Sequence, residues 1–455
     1  MTGFSTAALP GVRELPERIR TGVTSAVAEV ERSLAAIDAA NDELRAFVRV
    51  DHQAALDAAR RVDRALAGGA SLPLAGVTVG VKDNIDVAGR RTSAGSRILR
   101  DRVPAADAPA VARLTAAGAI VVGSTNMHEF ALGGTSDNPH WGPVANPLGP
   151  GLSPGGSSGG SAVAVAAGLC TIALGTDTCG SVRMPASLTR TVGLRPTFGA
   201  VPVEGTVPLA PTLDTVGPMT RTIADNAAVL EVLTARPAAP DVPLSSSVGL
   251  RFVTAHEGDA LAQPVAETMS AVLAALDGVG RVDRAADTGW VAESVAIAET
   301  MFLREAADYH APWLHARATE YGDDVLAGLR VGADITPEQY ARAADDRAAV
   351  VSRSLSVLGP DGVLVLPVFP FTRLEHGVET VQTAAGTFEL SSPAMLRYNS
   401  VAAVAGFPAL SVPAGHDADG LPAGIQLVGP PGGEARLYAL ATHLTEHLDA
   451  RNPRK

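Results

Sequence analysis

The chain has 455 residues, and its 36 lysine and arginine residues against 48 aspartate and glutamate residues give a formal net charge of −12 at pH 7. Because phosphate neutralisation needs clustered positive charge, this balance argues against a nucleic-acid-binding protein. The apolar fraction of 46% and the charged fraction of 18% exclude a disordered chain and predict a globular protein with a large core.

The sequence gives no sign of export or of membrane insertion. Two cysteines, Cys170 and Cys179, are too few for a disulfide framework or, alone, for a zinc site. The longest apolar run, residues 162–174, is shorter than the roughly 18 residues that a spanning helix needs. The N-terminus lacks a basic stretch followed by an apolar run, so we expect no signal peptide. We therefore predict a cytoplasmic protein that binds no membrane.

The first part of the chain alternates helical patterns with short apolar strands. Apolar residues recur at helical spacing over residues 17–66, so we expect an N-terminal helical segment, residues 1–65, packed on the core. Two buried strands are predicted at residues 77–81 and 119–122, with a helix at 108–117 between them. This pattern is typical of a βαβ unit and a parallel sheet.

Residues 133–161 are rich in Gly, Ser, Asn and Pro and have no periodic pattern. A linker and a functional loop both fit, and the loop is favoured because the composition does not shift afterwards. Later patterns predict helices at 158–168, from 224, at 292–318 and at 437–448, strands at 170–175, 250–253, 363–366, 409–412 and 424–428, a loop-rich stretch at 195–218 and a surface linker at 234–243. These elements belong to one large domain, residues 66–455.

The glycine-rich run 155–161 is the strongest local signal. It does not match a phosphate-binding loop, since no lysine follows it and no strand directly precedes it. A helix after it leads about 16 Å outward at 1.5 Å per residue, and the predicted strand returns by about 17–20 Å. These lengths cancel, so we expect Ser181 to lie beside Ser157.

A serine on a turn after a strand suits a nucleophile. The backbone N–H groups of residues 178–181, named here the oxyanion loop, could converge on an oxyanion; its members are Thr178, Cys179, Gly180 and Ser181. A tight turn whose serine only caps a helix is the alternative. None of the ten histidines lies in a recognisable base context.

Lys82 is the candidate base, and it is one of two lysines in the chain, the other being Lys455. It follows an apolar strand, where low polarity lowers the pKa of an amine, and a helix start near Ser158 would lower that pKa further. A neutral lysine can accept a proton, whereas an arginine effectively cannot. The alternative is an ion pair with Asp83 or Asp86.

Several segments together resemble the amidase signature family, over about residues 66–445. They are residues 80–84, 123–130, 154–161, 174–185, 193–197, 208–220, 406–409 and 424–429. The resemblance implies an α/β fold, a single large domain with a mixed, mostly parallel twisted β-sheet flanked by α-helices. It also implies a Ser-cisSer-Lys triad of Lys82 as base, Ser157 as bridging serine after a cis peptide bond and Ser181 as nucleophile, with no metal and no cofactor.

The resemblance also leads to a substrate class. Residues 394–405 lack the acid with which the glutamine-hydrolysing amidotransferase chain of the family holds the amino group of glutamine, and residues 305–313 look more like stand-alone amidases and ureide hydrolases. We therefore expect an amidohydrolase that forms an acyl-enzyme with a small carboxamide, ureide or hydrazide. Its candidate substrate-binding residues are Met127, Phe130, Gly156 and Tyr309, with Trp141 as a further pocket wall, although core packing fits the larger side chains equally well.

Three questions stay open from the sequence. A glutamine-hydrolysing amidotransferase subunit that feeds ammonia to a partner and a non-catalytic family member are the two alternatives to a stand-alone amidase. Ammonia release by the chain alone would separate them. A homodimer is compatible with the sequence. Cys179 stands where the family commonly has glycine, and a nucleophilic role for its thiol is disfavoured.

Overall fold

The computed structural model describes residues 9–236, 250–256, 259–383, 386–390 and 392–451. The predicted linker at 234–243 therefore lies outside the described residues beyond residue 236. Among the described helices, none combines the length and the apolar composition needed to cross a bilayer.

The N-terminal region is helical, as predicted, except for one strand. Its elements are α1 (Glu14–Arg20), α2 (Ala26–Leu44), β1 (Phe47–Val50) and α3 (His52–Ala67). Ser25 accepts a hydrogen bond from the Ala28 N–H and begins α2, and Asp51 does the same for α3 through the Ala54 N–H. The helical prediction is wrong at residues 47–50, where the chain pairs with the sheet edge instead. The predicted boundary at residue 65 falls inside α3, and the division into two units stays a prediction.

The next part of the chain holds the candidate site. Its elements are β2 (Thr78–Lys82), α4 (Pro109–Ala116), β3 (Ile120–Thr125), α5 (Gly159–Ala166), β4 (Ile172–Asp177), α6 (Arg183–Leu188), β5 (Val192–Arg195), β6 (Thr215–Thr220) and α7 (Ile223–Thr234). The predicted strands and helices here are confirmed within a few residues. The stretch expected to be loop-rich contains β6, which includes Pro218, a residue that normally argues against a central strand.

The last part adds the second half of the sheet and its covering helices. Its elements are β7 (Arg251–Thr254), α8 (Gln263–Leu276), β8 (Arg281–Asp283), α9 (Gly289–Leu314), α10 (Asp323–Asp334), α11 (Pro337–Leu358), β9 (Val363–Pro367), β10 (Thr380–Thr383), β11 (Gly386–Glu389), α12 (Ser392–Leu396), α13 (Ser400–Ala405), β12 (Ala409–His416), β13 (Pro422–Val428) and α14 (Glu434–Arg451). Every element predicted in this part is present, whereas eight elements were not predicted: α8, α10, α11, α12, α13, β8, β10 and β11.

Within the described residues, eleven strands form one sheet in the order β1-β3-β2-β4-β6-β5-β12-β13-β9-β7-β8. Parallel pairs form two groups, β3–β2–β4 and β9–β7–β8. The other pairs, including all those in the centre, are antiparallel. The predicted single α/β domain with a large mixed sheet flanked by helices is confirmed.

Successive side chains of a strand point to opposite faces, and the two faces of this sheet carry separate cores. Helices α4, α7, α8 and α14 cover one face, on which Val79 and Leu174 are buried. Helices α2, α3 and α5 cover one part of the other face, on which Ile120 and Ala173 are buried, and helices α9, α11 and α13 cover the rest. Because strands β2, β3 and β4 are parallel, their carboxyl ends lie at the same edge of the sheet, where polar side chains can collect.

Candidate active site

Lys82 is the last residue of β2, and its side chain is fully buried. Its Nζ lies 2.7 Å from Ser157 Oγ and 2.8 Å from Thr176 Oγ1. Burial lowers the pKa of Lys82 to about 7, although the negative charges of Asp214 and Asp177 oppose that shift. A large share of the side chain is therefore an uncharged amine at neutral pH, which is the state that can accept a proton.

The alternative ion pair between Lys82 and its acidic neighbours is wrong. Asp83 accepts hydrogen bonds from Arg49 at 2.6 Å and from the backbone N–H of Ser93 at 3.2 Å. Asp86 forms a two-point ion pair with Arg102, at 2.5 and 2.7 Å. Arginines therefore neutralise both carboxylates, so the amine of Lys82 is left to hydroxyl and carbonyl partners.

Ser157 follows a cis peptide bond with Gly156, as the family resemblance implied. Ser136 hydrogen-bonds on both sides of Ser157: its hydroxyl donates to Gly155 O at 2.8 Å and accepts from the Gly159 N–H at 3.1 Å. A Cβ at Gly156 would lie 2.9 Å from Ser136 N, so this position requires glycine for packing. The predicted contact between Gly156 and a substrate stays a prediction.

Ser181 lies next to Ser157, as the helix and strand lengths predicted. The Ser158 N–H donates to Ser181 O at 3.1 Å, which joins the two motifs directly. The Ser181 residue is 6% exposed, and within the described residues its hydroxyl forms no hydrogen bond. Such contacts are often loose without substrate and tighten in the reacting complex.

The oxyanion loop differs in one respect from its prediction. The Gly180 N–H donates to Asp177 Oδ1 at 2.8 Å, so in this conformation it is not available to an oxyanion, and the role of the loop as an oxyanion site stays a prediction. The N–H groups of Cys179 and Ser181 have no hydrogen-bond partner in the part of the chain that is described. Burial raises the pKa of the Cys179 thiol to about 12, so a nucleophilic thiolate is disfavoured there.

Two buried arginines beside this loop were missed by sequence reasoning. Asp177 accepts from Arg183 Nε and Nη2, both at 3.0 Å, and lies 3.3 Å from Arg195 Nη1; all three side chains are fully buried. Burial alone would raise the pKa of Asp177, but the two guanidinium groups hold it well below its usual range. The available signal was charge itself, since Arg183 stands two residues after Ser181 in a motif whose one other charged residue is Asp177.

The candidate substrate-binding residues occupy one apolar cluster. Met127 and Phe130 are buried in it and Tyr309 packs at its edge, with the Tyr309 ring 5.2 Å from that of His310. The loop that carries Met127 and Phe130 contacts the serine motif, because the His128 N–H donates to Ser157 O at 3.1 Å.

The backbone near this cluster is strained. Phe130 and Ala131 adopt φ values of +50° and +61°, the left-handed region that residues other than glycine seldom enter. Such strain concentrates at functional sites. The roles of Met127, Phe130 and Tyr309 in binding stay predictions.

Trp141 lies elsewhere. It lines a surface cavity of about 210 Å³ together with Arg45 and Phe47, and none of the residues that line this cavity belongs to the Lys82, Ser157 and Ser181 group. Within the described residues, no group of three or more His, Cys, Asp or Glu side chains is placed to hold a metal ion.

Comparison with known proteins gives consistent matches over nearly the whole chain. The family described as Amidase matches residues 28–438. The A subunit of the glutamyl-tRNA(Gln) amidotransferase of Synechococcus sp. (strain RCC307) is 35% identical over 475 aligned residues, which cover 95% of this chain and 96% of the relative.

Two solved structures are also similar. One is described as an amidase, is 32% identical, has a TM-score of 0.88 and covers 96% of this chain and 99% of its own. The other comes from a vestigial protein complex that reveals the evolutionary origins of an s-triazine catabolic enzyme. It is 30% identical, with a TM-score of 0.89 and coverages of 96% and 98%.

Proposed function

Because the chain belongs to the amidase family, we propose that it is an amidohydrolase that cleaves the C–N bond of a small carboxamide, ureide or hydrazide through an acyl-enzyme on Ser181. The observation that carries the proposal is the 2.7 Å contact between Lys82 Nζ and Ser157 Oγ, made by a fully buried lysine beside the turn that presents Ser181. A buried amine with a pKa of about 7 is matched to proton transfer at neutral pH.

The reaction then follows from the placement of the three side chains. Neutral Lys82 takes the hydroxyl proton of Ser157, which takes that of Ser181 as its oxygen attacks the substrate carbonyl carbon. The negative charge that forms on the carbonyl oxygen faces the free N–H groups of Cys179 and Ser181. Ser157 gives its proton to the departing nitrogen as the C–N bond breaks and takes one back from Lys82, which is then neutral again. Water then attacks the ester by the same route and releases the acid.

Thr176 orients the amine for this transfer. The Asn84 side-chain amide donates to Thr176 Oγ1 at 3.1 Å, and the same oxygen lies 2.8 Å from Lys82 Nζ. A protonated Lys82 thus has three acceptors in reach, Ser157 Oγ, Thr176 Oγ1 and Thr176 O, the last at 3.4 Å. These acceptors can stabilise the ammonium group once the proton has arrived, although burial disfavours the charged form of Lys82 before the reaction.

A small amide without a free amino group is favoured over glutamine. An acid does approach the segment in which the glutamine-hydrolysing relatives carry their acidic residue, but Asp259 there accepts from Arg397 at 3.1 and 3.2 Å and from the Tyr398 hydroxyl at 2.8 Å. A carboxylate paired in this way offers little to the amino group of glutamine. The likeness to the structure linked with an s-triazine catabolic enzyme supports a small, nitrogen-rich substrate.

An amidotransferase subunit is the second candidate, and the sequence comparison favours it. The match to the Synechococcus amidotransferase chain extends over 95% of this chain. In that case the chain would hydrolyse glutamine and deliver ammonia to a partner.

Release of ammonia, or of hydrazine where the substrate is a hydrazide, by the purified chain separates the two candidates. The panel contains simple primary amides, ureides, hydrazides and glutamine, and it is run with the wild type and with Ser181→Ala. Ser411→Ala is the matched control, because Ser411 is buried and its hydroxyl has no partner among the described residues. Turnover of a small amide or ureide, lost only in Ser181→Ala, supports the hydrolase. Glutamine as the only substrate favours the amidotransferase role, and no turnover of any class contradicts the hydrolase.

A further inference from the structure

The turn before β6 contains a buried carboxylate that no step of the proposed reaction uses. Asp214 is 6% exposed, and its two oxygens accept three hydrogen bonds. Oδ1 accepts from the Thr178 hydroxyl at 2.5 Å, and Oδ2 accepts from the N–H groups of Leu209 and Ala210 at 2.9 and 3.0 Å. One carboxylate therefore joins the first residue of the oxyanion loop to a turn that lies about thirty residues further along the chain.

The oxyanion loop is attached at two separate places. Asp177 fixes the Gly180 amide and is itself fixed by two arginines. The side chain of Thr178 has a single hydrogen-bond partner in the described residues, which is Asp214. The amides of Cys179 and Ser181 follow directly after this contact, so the position of Thr178 influences where they point.

The turn that carries Asp214 is fixed to the helical layer. Glu305 on α9 accepts from the Thr212 N–H at 3.0 Å and from the Thr212 hydroxyl at 2.5 Å. The Tyr340 hydroxyl on α11 donates to the same carboxylate at 2.9 Å. The position of Asp214 is thus set by two long helices, which makes it a rigid support.

We propose that Asp214 is a positioning residue of the hydrolase, which fixes the Cys179 and Ser181 amides relative to the Ser181 hydroxyl through its hydrogen bond to Thr178. The inference rests on the proposed function, because it assigns those amides to the oxyanion. Oxyanion donors act only when they are correctly placed as negative charge develops, and losing one costs about 10²–10³ in kcat. A loosened loop keeps its donors, so we expect a loss of about tenfold.

The negative charge of Asp214 predicts a change in the pH dependence of catalysis that a residue with only a structural role would not produce. The titratable groups that interact electrostatically with Asp214 are Lys82, Arg195 and the Cys179 thiol. Its negative charge raises the pKa of Lys82 against the effect of burial. Asp214→Asn therefore moves the acid limb of kcat/KM to lower pH, and Thr178→Val moves it less, because the carboxyl group remains and only the hydrogen bond that lowers its pKa is lost.

The test compares Asp214→Asn, Thr178→Val, Thr178→Ser and the double variant Asp214→Asn/Thr178→Val with the wild type. We expect kcat to fall about tenfold in Thr178→Val with KM changed less than about twofold, because the lost contact serves the transition state. Thr178→Ser should recover most of kcat, and the double variant should be no slower than Asp214→Asn. Asp225→Asn is the matched control, since Asp225 is also buried and accepts a backbone N–H, that of Val12, at 2.6 Å.

Three results would overturn the inference. The first is a loss of kcat in the double variant that equals the product of the two single losses. The second is a kcat of Thr178→Ser as low as that of Thr178→Val, and the third is a Thr178→Val variant in which KM changes instead of kcat. Amide hydrogen exchange of a peptide spanning residues 178–181 reports on the loop without turnover and should be faster in Thr178→Val. An active wild type with unchanged exchange and kcat in Thr178→Val refutes this inference alone. An inactive wild type refutes the proposed function, and faster exchange then supports only the contact between Asp214 and the loop.

Discussion

Replacing Lys82 by methionine should make the protein's stability less dependent on pH. In the unfolded chain the lysine has its ordinary pKa of 10.5, and in the folded protein burial lowers that pKa to about 7. Between these two values the unfolded chain binds more protons than the folded one. The free energy of unfolding therefore rises with pH across this window, and the contribution disappears when the amine is removed.

The magnitude follows from the two pKa values. Integrated from pH 7 to pH 9, one such group raises the free energy of unfolding by about 2 kcal/mol. Titrating groups that do not interact with Lys82 contribute equally to the wild type and to Lys82→Met, so they cancel in the difference between the two proteins. The methionine variant should also be the more stable protein at pH 7, because it buries no ionisable group at this position.

Urea unfolding followed by circular dichroism at pH 7 and pH 9 measures this difference, with Ser411→Ala as a control that keeps the wild-type dependence. The same ionisation should appear in catalysis, as a kcat/KM that rises about tenfold per pH unit below 7 and levels off above it. Parallel pH dependences of unfolding in the wild type and Lys82→Met would refute the assignment of a depressed pKa to this lysine.

Three further predictions concern the same site. Ser181→Ala should lower kcat by about 10³–10⁶ and abolish labelling by a serine-reactive phosphonate, and labelling equal to the wild type would contradict its role. Lys82→Arg should release ammonia almost as poorly as Lys82→Ala, because arginine keeps its proton; an active arginine variant would exclude a neutral base. Asp177→Asn leaves Arg183 buried without its carboxylate, so the free energy of unfolding, measured with urea, should fall by about 3–5 kcal/mol. An unchanged free energy of unfolding would show that the ion pair is dispensable.

The juxtaposition of the two serine motifs could be predicted because it depends on local geometry. One short helix and one short strand separate Ser157 from Ser181, and their rises per residue fix the lengths. Lys82 could be predicted from the end of an apolar strand and from the scarcity of lysine. These features lie within short stretches of chain, where periodicity and composition carry the information.

The contacts that support the site could not be predicted in the same way. Asp177 meets Arg195, and Thr178 meets Asp214, across 18 and 36 residues of sequence. Neither pair has a spacing rule, since α6, β5 and, for the second pair, the long loop after β5 lie between the partners. The hydrogen bond from the Gly180 N–H to Asp177 also depends on the rotamer of Asp177, which no sequence pattern specifies.

One missed element did carry a usable signal. Helix α11 begins at a capping box, in which the Thr336 hydroxyl accepts from the Gln339 N–H and the Gln339 side chain accepts from the Thr336 N–H. The pattern of threonine, proline at the first helical position and glutamine two residues later is readable from sequence. This pattern would have predicted the start of helix α11, which carries Tyr340.

The charges around the nucleophile explain why a lysine serves where the chain otherwise uses arginine. Asp177, Arg183, Arg195 and Asp214 are all buried, and their four charges sum to zero. With neutral Lys82 the site therefore has no net charge before the reaction. In the proposed reaction, a negative oxyanion forms as the proton of Ser181 is passed on and Lys82 becomes protonated, so the sum stays at zero through the tetrahedral intermediate. An arginine at position 82 would leave one positive charge unbalanced in a region of low polarity at every other stage, which burial strongly disfavours.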